Sequence, residues 1–265
     1  MKITSLQNEK IKQTVRLRNR KERDESGLFL IEGYRELKRA VDAGIEIETL
    51  YFYPALFVES GQHRLVAQLE EIAIECIESV FTKISYRDSP DGLLAVAKQM
   101  RRKLSDLDEI LATKKNPFLV IAESIEKPGN LGTILRSCDA AGVDAVLVCD
   151  PTTDIYNPNV VRSSIGTLFT IPVIQTNSLK TLNFLKEKNI SIAAVTPHAK
   201  IEYTEADFTG PVALAMGAEQ HGLSDTWMSQ ANIQVKIPMF GVADSLNVAS
   251  ATTLVLYEVV RQRKS

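Results

Sequence analysis

The sequence predicts an α/β protein of two domains with a mostly parallel β-sheet. Short apolar runs typical of buried strands alternate with segments of helical periodicity along most of the chain. Its 265 residues, 45% of them hydrophobic, suffice for one large domain or two smaller ones, at about 150 residues per domain. A polar, charge-rich stretch at 98–116 separates two such series. We therefore expect a first domain at 1–98, a linker at 99–115 and a second domain at 116–265.

The first domain opens with a basic segment. Residues 1–23 hold eight basic and two acidic side chains, and their apolar spacing predicts a helix with a basic outer face. This pattern fits a solvated surface helix and a phosphate-contacting face equally well. Strand-like and helix-like segments then alternate as GLFLIEG, YRELKRAVDAG, IETLYFYP, LVAQLEEIAIECIESV and GLLAVAK.

The second domain repeats the alternation. Its predicted elements are the strand FLVIAES, a helix from about residue 130, the strands AVLVCD and FTIPVI, a helix near 178–188, the strands ISIAAVT and VALAMGA, and a long C-terminal helix. That last helix is apolar around most of its circumference. It therefore requires burial on more than one side, under the sheet or in a dimer interface.

Composition limits the class of protein. The formal net charge is -2, so any nucleic-acid contact depends on how charge is distributed over the surface. Three scattered cysteines, Cys76, Cys138 and Cys149, fit a reducing compartment better than a disulfide framework. The first residues lack the apolar run of a signal peptide, and no stretch approaches the roughly 20 apolar residues of a membrane span. We expect a cytoplasmic protein with no membrane partner.

Several familiar sites are excluded by their motifs. G-x-G-x-x-G and G-x-S-x-G do not occur, which counts against a dinucleotide fold and a serine hydrolase. GAEQHGLS has the outer spacing of a phosphate-binding loop, but Leu223 stands where that loop needs lysine. His63, His198 and His221 are isolated from one another, so we expect no metal.

Polar residues follow a predicted strand in ESIEKPGNLGTILRSCDAAG, at 123–142. Asn130 stands at a favoured N-cap position, and Gly142 supplies a helix stop. Arg136 follows Asn130 by six residues, about 240° around a helix, so the two need not share a face. The segment is explained by a capped helix with a surface arginine, or by a site, since ligands of open α/β sheets bind beyond the carboxyl ends of strands.

Two further segments have the same character. In VALAMGAEQHGLS, at 212–224, a strand leads into Gly217, Glu219 and Gly222, where glycines allow a ligand to approach the backbone closely. In IPMFGVADSLNVASATTLVLYEVV, at 237–260, the strand end IPM leads to Ser245, a candidate N-cap of the last helix.

Together, and in this order, the three segments resemble the SpoU (TrmH-like) branch of the SPOUT RNA methyltransferases. Residues 130–136 are similar to the first sequence motif of that family, MGAEQHGLS to the second and IPMFGVADSLNVASA to the third. VRSSIGTLFTIPV at 161–173 also resembles a sequence signature of this family, one that lies between the first and second motifs. FLIEGYRELKRA at 29–40 resembles the substrate-binding domain that precedes the catalytic domain in many members. The resemblance covers nearly the whole chain.

The resemblance implies an unusual architecture. The C-terminal domain would be a SPOUT domain with a deep trefoil knot, a feature otherwise almost absent from proteins. The smaller N-terminal domain would be an L30e-like RNA-binding module. Members of the family bind S-adenosylmethionine and are typically homodimers with active sites at the subunit interface.

The implied activity is transfer of a methyl group to a ribose 2′-hydroxyl of RNA, with 23S ribosomal RNA as the expected substrate. Arg136 would activate the hydroxyl beside a substrate phosphate, helped by Glu219. Asn130, Ser245 and Asn247 would position the ribose and the arginine. The cofactor would be held by main chain around six residues: Leu214, Met216, Gly217, Ile237, Met239 and Leu246.

Four alternatives stay open at this point. The substrate could be tRNA, or the methylated atom could belong to a base, as in related knotted enzymes. The chain could also be a non-catalytic RNA-binding or ribosome-assembly factor on the same fold. Finally, the motifs could be plain turns of a nucleotide-binding α/β enzyme, although the missing phosphate-loop lysine and glycine fingerprint count against that.

Overall fold

The computed structural model describes residues 2–264, which divide into two compact units. The first runs to Met100 and also includes Asp154–Thr170; the second comprises Arg101–Thr153 and the chain from Ile171 onward. The domain limits expected from sequence remain a prediction, and that prediction did not anticipate that Asp154–Thr170 would pack with the first unit. In the described chain, every helix is too short or too polar to cross a membrane.

The elements are numbered along the chain within residues 2–264. The strands are β1 Lys2–Ile3, β2 Leu28–Glu32, β3 Ile47–Phe52, β4 Ala73–Cys76, β5 Leu93–Lys98, β6 Phe118–Glu123, β7 Ala145–Cys149, β8 Val173–Thr176, β9 Ser191–Val195, β10 Ile201–Glu202, β11 Val212–Met216 and β12 Ile233–Lys236. The helices are α1 Glu9–Arg16, α2 Arg20–Ser26, α3 Tyr34–Asp42, α4 Ser60–Gln68, α5 Glu78–Ile84, α6 Leu107–Ala112, α7 Pro128–Ala141, α8 Pro158–Ser163, α9 Ser178–Glu187, α10 Asp225–Gln230 and α11 Val248–Lys264.

The first unit contains a mixed sheet in the order β1-β4-β3-β5-β2. β4 pairs in parallel with β1 and β3, whereas β5 pairs antiparallel with β3 and β2. Strand β4 lies inside the segment LVAQLEEIAIECIESV, where the sequence analysis did not separate it from the helices on either side. Periodicity alone does not distinguish a four-residue buried strand from part of a buried helix.

The segment Asp154–Thr170 completes the core of the first unit. Phe29 of β2 packs against the rings of Tyr156 and Phe169, with ring centroids 4.6 and 5.9 Å apart. Arg23 of α2 forms a buried ion pair with Asp154, with Nη2 and Oδ2 2.7 Å apart. Removing one partner of such a pair leaves an uncompensated buried charge, so this contact fixes how the segment docks.

The second unit is built on a fully parallel sheet in the order β10-β12-β9-β11-β6-β7-β8. The mostly parallel sheet expected from sequence is confirmed. β6, β7 and β11 are buried along their whole lengths, because helices cover both faces. The short helix α6 lies within the predicted linker, and its Leu107 and Leu111 are buried in this unit's core.

Helix α7 begins earlier than predicted. Its N-cap is Lys127, with Pro128 in the first helical turn, so the expectation that Asn130 caps the helix is wrong. Proline is favoured at this position because its missing N–H would have no partner there. The helix ends where expected, at Gly142, which adopts the left-handed conformation (φ 72°).

The C-terminal helix α11 packs along α7, and Ser137 shares a 2.7 Å hydroxyl contact with Thr253. One side of α11 is buried, while Leu254 and Tyr257 remain 42% and 49% exposed. The burial expected on more than one side is therefore incomplete within one chain. The trefoil knot and the dimer stay predictions.

Candidate active site

A cavity of about 730 Å³ opens at the carboxyl ends of β12, β9, β11 and β6, four adjacent strands of the second unit. Parallel strands bring their following loops to one edge of the sheet, which is where ligands of such sheets bind. Its volume lies within the range of about 300–1,000 Å³ typical of small-molecule sites. The lining comes from all three segments singled out in the sequence and from the loop after β9.

Three side chains form a hydrogen-bonded chain at this cavity. Asn247 Nδ2 donates to Asn130 Oδ1 at 3.0 Å, and Asn130 Nδ2 donates to Glu219 Oε1 at 2.6 Å. These residues lie 117 and 89 positions apart, one from each segment. Because both amide groups are oriented by their partners, the chain fixes which atoms face the cavity.

Glu219 also holds the loop that leads into α7. Its carboxylate accepts the backbone N–H of Glu126 at 2.9 Å and that of Lys127 at 3.2 Å. Burial raises the pKa of Glu219, but hydrogen bonds outweigh it, chiefly from Glu126 N–H and the Asn130 amide, so the net pKa is lowered. The ionised carboxylate of Glu219 thus holds the loop after β11 to the start of α7 by hydrogen bonds.

The lowered pKa of Glu219 predicts how stability depends on pH. The ionised form is favoured in the folded state, so its contribution is complete above the ordinary value of 4.5 and is lost as pH falls through the folded pKa. We expect the wild type to exceed Glu219→Gln in free energy of unfolding by a constant amount from about pH 7 to about pH 5, and by less toward about pH 3.5. Urea unfolding at each pH measures this, and an unchanged difference at low pH would contradict it.

The loop after β11 folds back on itself. Ala218 and Gly222 exchange both backbone hydrogen bonds, at 3.0 and 2.9 Å. Gly217 lies so close to this turn that a Cβ there would sit 2.1 Å from the carbonyl carbon of Gly222. The far end of the loop is anchored by Glu123, which accepts from the backbone N–H and the hydroxyl of Ser224 at 2.8 and 2.6 Å. The loop is therefore preformed as a main-chain wall of the cavity.

The third segment differs from expectation in one respect. Strand β12 ends at Lys236, so the IPM sequence belongs to the following loop and not to the strand. Helix α11 is capped by Asn247, whose Oδ1 accepts from the backbone N–H of Ala249 at 3.0 Å, so Ser245 is not the N-cap. Asn247 thus joins the first turn of α11 to the hydrogen-bonded chain with Asn130 and Glu219. Ser245 lines the cavity.

The structure brings most of the predicted site residues together. Those that line the cavity are Asn130, Met216, Gly217, Glu219, Ile237, Met239, Ser245, Leu246 and Asn247.

Arg136 and Leu214 are not among them. Leu214 is fully buried, and its main chain is engaged by β6 on one side and β9 on the other. Arg136 is exposed on α7 and is not part of the cavity wall. Its assignment as the catalytic group therefore remains a prediction.

The sequence analysis missed the loop after β9. Val195, Thr196, Pro197 and His198 all line the cavity. The signal was present, because ISIAAVT is an apolar strand followed at once by Pro-His, at the same carboxyl edge as the other loops. No motif marks this loop, so only its place directly after a buried strand indicates that it lies at the cavity.

The lining fits S-adenosylmethionine. Met216, Ile237 and Leu246 supply apolar surface, and Gly217, Ala218 and Gly222 bring the main chain of the loop after β11 to the cavity wall. Within residues 2–264, His, Cys, Asp and Glu form no group of three or more placed to hold a metal ion.

Comparison with known proteins agrees with this geometry. The model of the SpoU rRNA methylase family matches residues 117–257, and that of the MRM3-like substrate-binding domain matches residues 8–95. An AdoMet-bound rRNA methyltransferase from Sinorhizobium meliloti superposes with a TM-score of 0.88 at 30% identity, covering 98% of this chain and 97% of that one.

Two relatives match nearly end to end. A 23S rRNA (uridine(2479)-2′-O)-methyltransferase of Streptomyces viridochromogenes is 32% identical, covering 94% of this chain and 88% of its own. The 23S rRNA (guanosine(2553)-2′-O)-methyltransferase RlmP of Bacillus subtilis is 30% identical over 97% and 98%. With the family model spanning more than half of its length and these matches across both units, the chain belongs to the SpoU rRNA methylase family.

Proposed function

We propose that this protein transfers a methyl group from S-adenosylmethionine to a ribose 2′-hydroxyl of 23S ribosomal RNA. The observation that carries the proposal is the chain from Asn247 through Asn130 to Glu219, which joins three distant motifs at one cavity. Relatives that match this chain almost end to end carry out that reaction on 23S rRNA. One acts on a uridine and the other on a guanosine, so the base attached to the methylated ribose differs between these two relatives.

The cofactor would lie against the β11 loop and the loop after β12. Main-chain groups at Gly217 and Met239 would hold it, with apolar contacts from Met216, Ile237 and Leu246. Bound S-adenosylmethionine supplies an electrophilic methyl group on a sulfonium. Glu219 contributes by fixing the shape of the wall: it fastens the β11 loop to the start of α7.

Arg136 would act on the nucleophile. A ribose hydroxyl attacks poorly until it is deprotonated or strongly polarised. A guanidinium keeps its charge and accepts protons poorly, so Arg136, oriented by a substrate phosphate, would stabilise the developing alkoxide. The proton of the hydroxyl would pass to water as its oxygen takes the methyl group. Asn130 and Ser245, two polar residues that line the cavity, would orient the ribose. The exposed position of Arg136 suits a group that meets bound RNA.

We further propose a cytoplasmic homodimer. Leu254 and Tyr257 are large apolar side chains left half-exposed on α11, a helix whose other side is buried. A second copy of the chain would cover them. RNA is the partner of the first unit, which matches a substrate-binding domain.

Titration of the purified protein with S-adenosylmethionine tests the cofactor assignment. We expect binding in the micromolar range by calorimetry. Mapping 2′-O-methyl groups in ribosomal RNA from cells with and without this gene tests the substrate, and we expect one 23S position to lose its methyl group in the deletion. No cofactor binding would indicate a non-catalytic RNA-binding factor. A lost methyl group in tRNA would assign the other substrate.

A further inference from the structure

A small cleft in the first unit carries polar groups that the fold leaves unsatisfied. Among residues 2–264, two buried side-chain polar atoms have no hydrogen-bond partner, Tyr86 Oη and Arg87 Nε. Both residues line the same cleft, of about 10 Å³, together with Arg162 of α8. A buried donor without a partner costs about 1–3 kcal/mol, so two in one place call for an explanation.

The groups around this cleft are held in fixed positions. Arg87 Nη2 donates to Glu36 Oε1 and to the carbonyl of Glu32, both at 2.6 Å, whereas its Nε has no partner among the described residues. The carboxylate of Glu32, which also lines the cleft, is already engaged by Ser85 Oγ at 2.6 Å and by the backbone N–H of Tyr86 at 2.8 Å. The carboxylate that lines the cleft is therefore already engaged by other donors.

The surroundings are cationic. Arg162 is exposed and has no ion-pair partner among the described residues. Arg18 is close enough to lower the pKa of Tyr86 by its charge, and its Nη2 donates to the carbonyls of Lys83 and Ser85 at 2.9 and 2.6 Å. Desolvation raises the pKa of Tyr86, so its phenol stays protonated and is a donor. Donors and positive charge without a free acceptor are the chemistry of an anion site.

We propose that Tyr86, Arg87 and Arg162 bind a backbone phosphate of the substrate RNA. The cleft has room for about one oxygen-sized atom, so a phosphate would insert one oxygen toward Tyr86 Oη and Arg87 Nε while Arg162 pairs with its charge. This inference rests on the proposed function, because it takes RNA as the partner. It also gives a role to the VRSSIGTLFTIPV segment, which supplies Arg162 to the first unit from outside the matched substrate-binding domain.

The basic segment at 1–23 offers less to a phosphate than its composition suggests. Five of its eight cations are ion-paired within the protein. They are Lys2, Lys12, Arg20, Lys21 and Arg23. The field available to RNA from this segment is correspondingly reduced, which favours the cleft as the contact.

Binding of an in vitro transcript of 23S rRNA to the full-length protein, by fluorescence anisotropy over a range of salt, tests the proposal. We expect Arg162→Gln to bind about tenfold more weakly and to lower the salt slope of the affinity by about 1. Tyr86→Phe, which removes one atom, is expected to bind about threefold to tenfold more weakly with an unchanged salt slope. Arg64→Gln, which alters an exposed arginine of the same unit outside the cleft, is the matched control and should stay within about twofold of the wild type.

Three outcomes would overturn the proposal. The first is that both cleft variants bind RNA like the wild type, which would mean that water satisfies the two donors. The second is that Arg64→Gln loses as much affinity, which would mean that only overall charge matters. The third is that inorganic phosphate raises the melting temperature of the wild type but not of Tyr86→Phe while RNA binding is unchanged, which would indicate a free anion. S-adenosylmethionine titration of each variant separates these results from failure of the proposed function, since cofactor affinity should be unaffected.

Discussion

Arg136→Ala is expected to lower the rate of RNA methylation about 100-fold while leaving the affinity for S-adenosylmethionine unchanged. Removing one group that stabilises a developing oxyanion costs about 2.7–4 kcal/mol in enzymes where this has been measured. The cofactor affinity should not change, because Arg136 does not line the cavity. Single-turnover methylation and calorimetry on the same preparation measure the two effects.

Two variants serve as controls for this prediction. Arg136→Lys keeps the charge but not the planar donor geometry and should retain part of the activity. Lys180→Ala removes an exposed cation of the same unit outside the cavity and should behave as the wild type. A loss of less than about tenfold in Arg136→Ala, about 1.4 kcal/mol in barrier, would show that Arg136 is not the activating group.

Gly217→Ala is expected to abolish most cofactor binding. The added Cβ would lie 2.1 Å from the carbonyl carbon of Gly222 and 2.2 Å from the backbone nitrogen of Leu223. These are main-chain atoms of a closed turn, so the clash is relieved only by opening the loop. Overpacking of this kind costs about 1–3 kcal/mol or more. We expect the affinity for S-adenosylmethionine to fall by at least about tenfold and the melting temperature to drop.

Gly210→Ala is the matched control for that change. It lies in the same unit, and no atom stands within 4 Å of the Cβ it would add. It should bind the cofactor as the wild type does. If Gly217→Ala also bound normally, the β11 loop would not be the wall against which the cofactor rests.

The alternation of apolar runs and helices predicted the second unit well. Strands β7 and β11 are unbroken apolar runs, and β6 is apolar up to Glu123, because these strands are covered on both faces. The first unit was harder to predict, since β4 is a four-residue strand between helical segments. The docking of Asp154–Thr170 on the first unit was out of reach, because it depends on Arg23 meeting Asp154 across 131 residues.

The candidate site was predicted from motifs and not from local geometry. Asn130, Glu219 and Asn247 lie far apart in sequence, and only the resemblance to a family placed them together. The capping residue of α11 was predicted wrongly: Asn247 caps the helix, where Ser245 was expected to. Both are good capping residues two positions apart, so propensity could not choose between them. The loop at 195–198 was missed because it has no motif of its own.

Alkaline digestion of methylated RNA shows whether this protein methylates a ribose of 23S rRNA. An unmodified 23S rRNA transcript would be incubated with the protein and S-adenosylmethionine labelled in its methyl group, and the RNA then hydrolysed in alkali. Alkali cleaves RNA through the free 2′-hydroxyl, so a 2′-O-methyl group leaves an alkali-stable dinucleotide. We predict that the label appears in a single such dinucleotide. Label confined to mononucleotides would mean that a base is methylated, and unlabelled RNA would mean that this chain does not methylate naked 23S rRNA. Either result would overturn the proposed 2′-O-methylation of 23S rRNA.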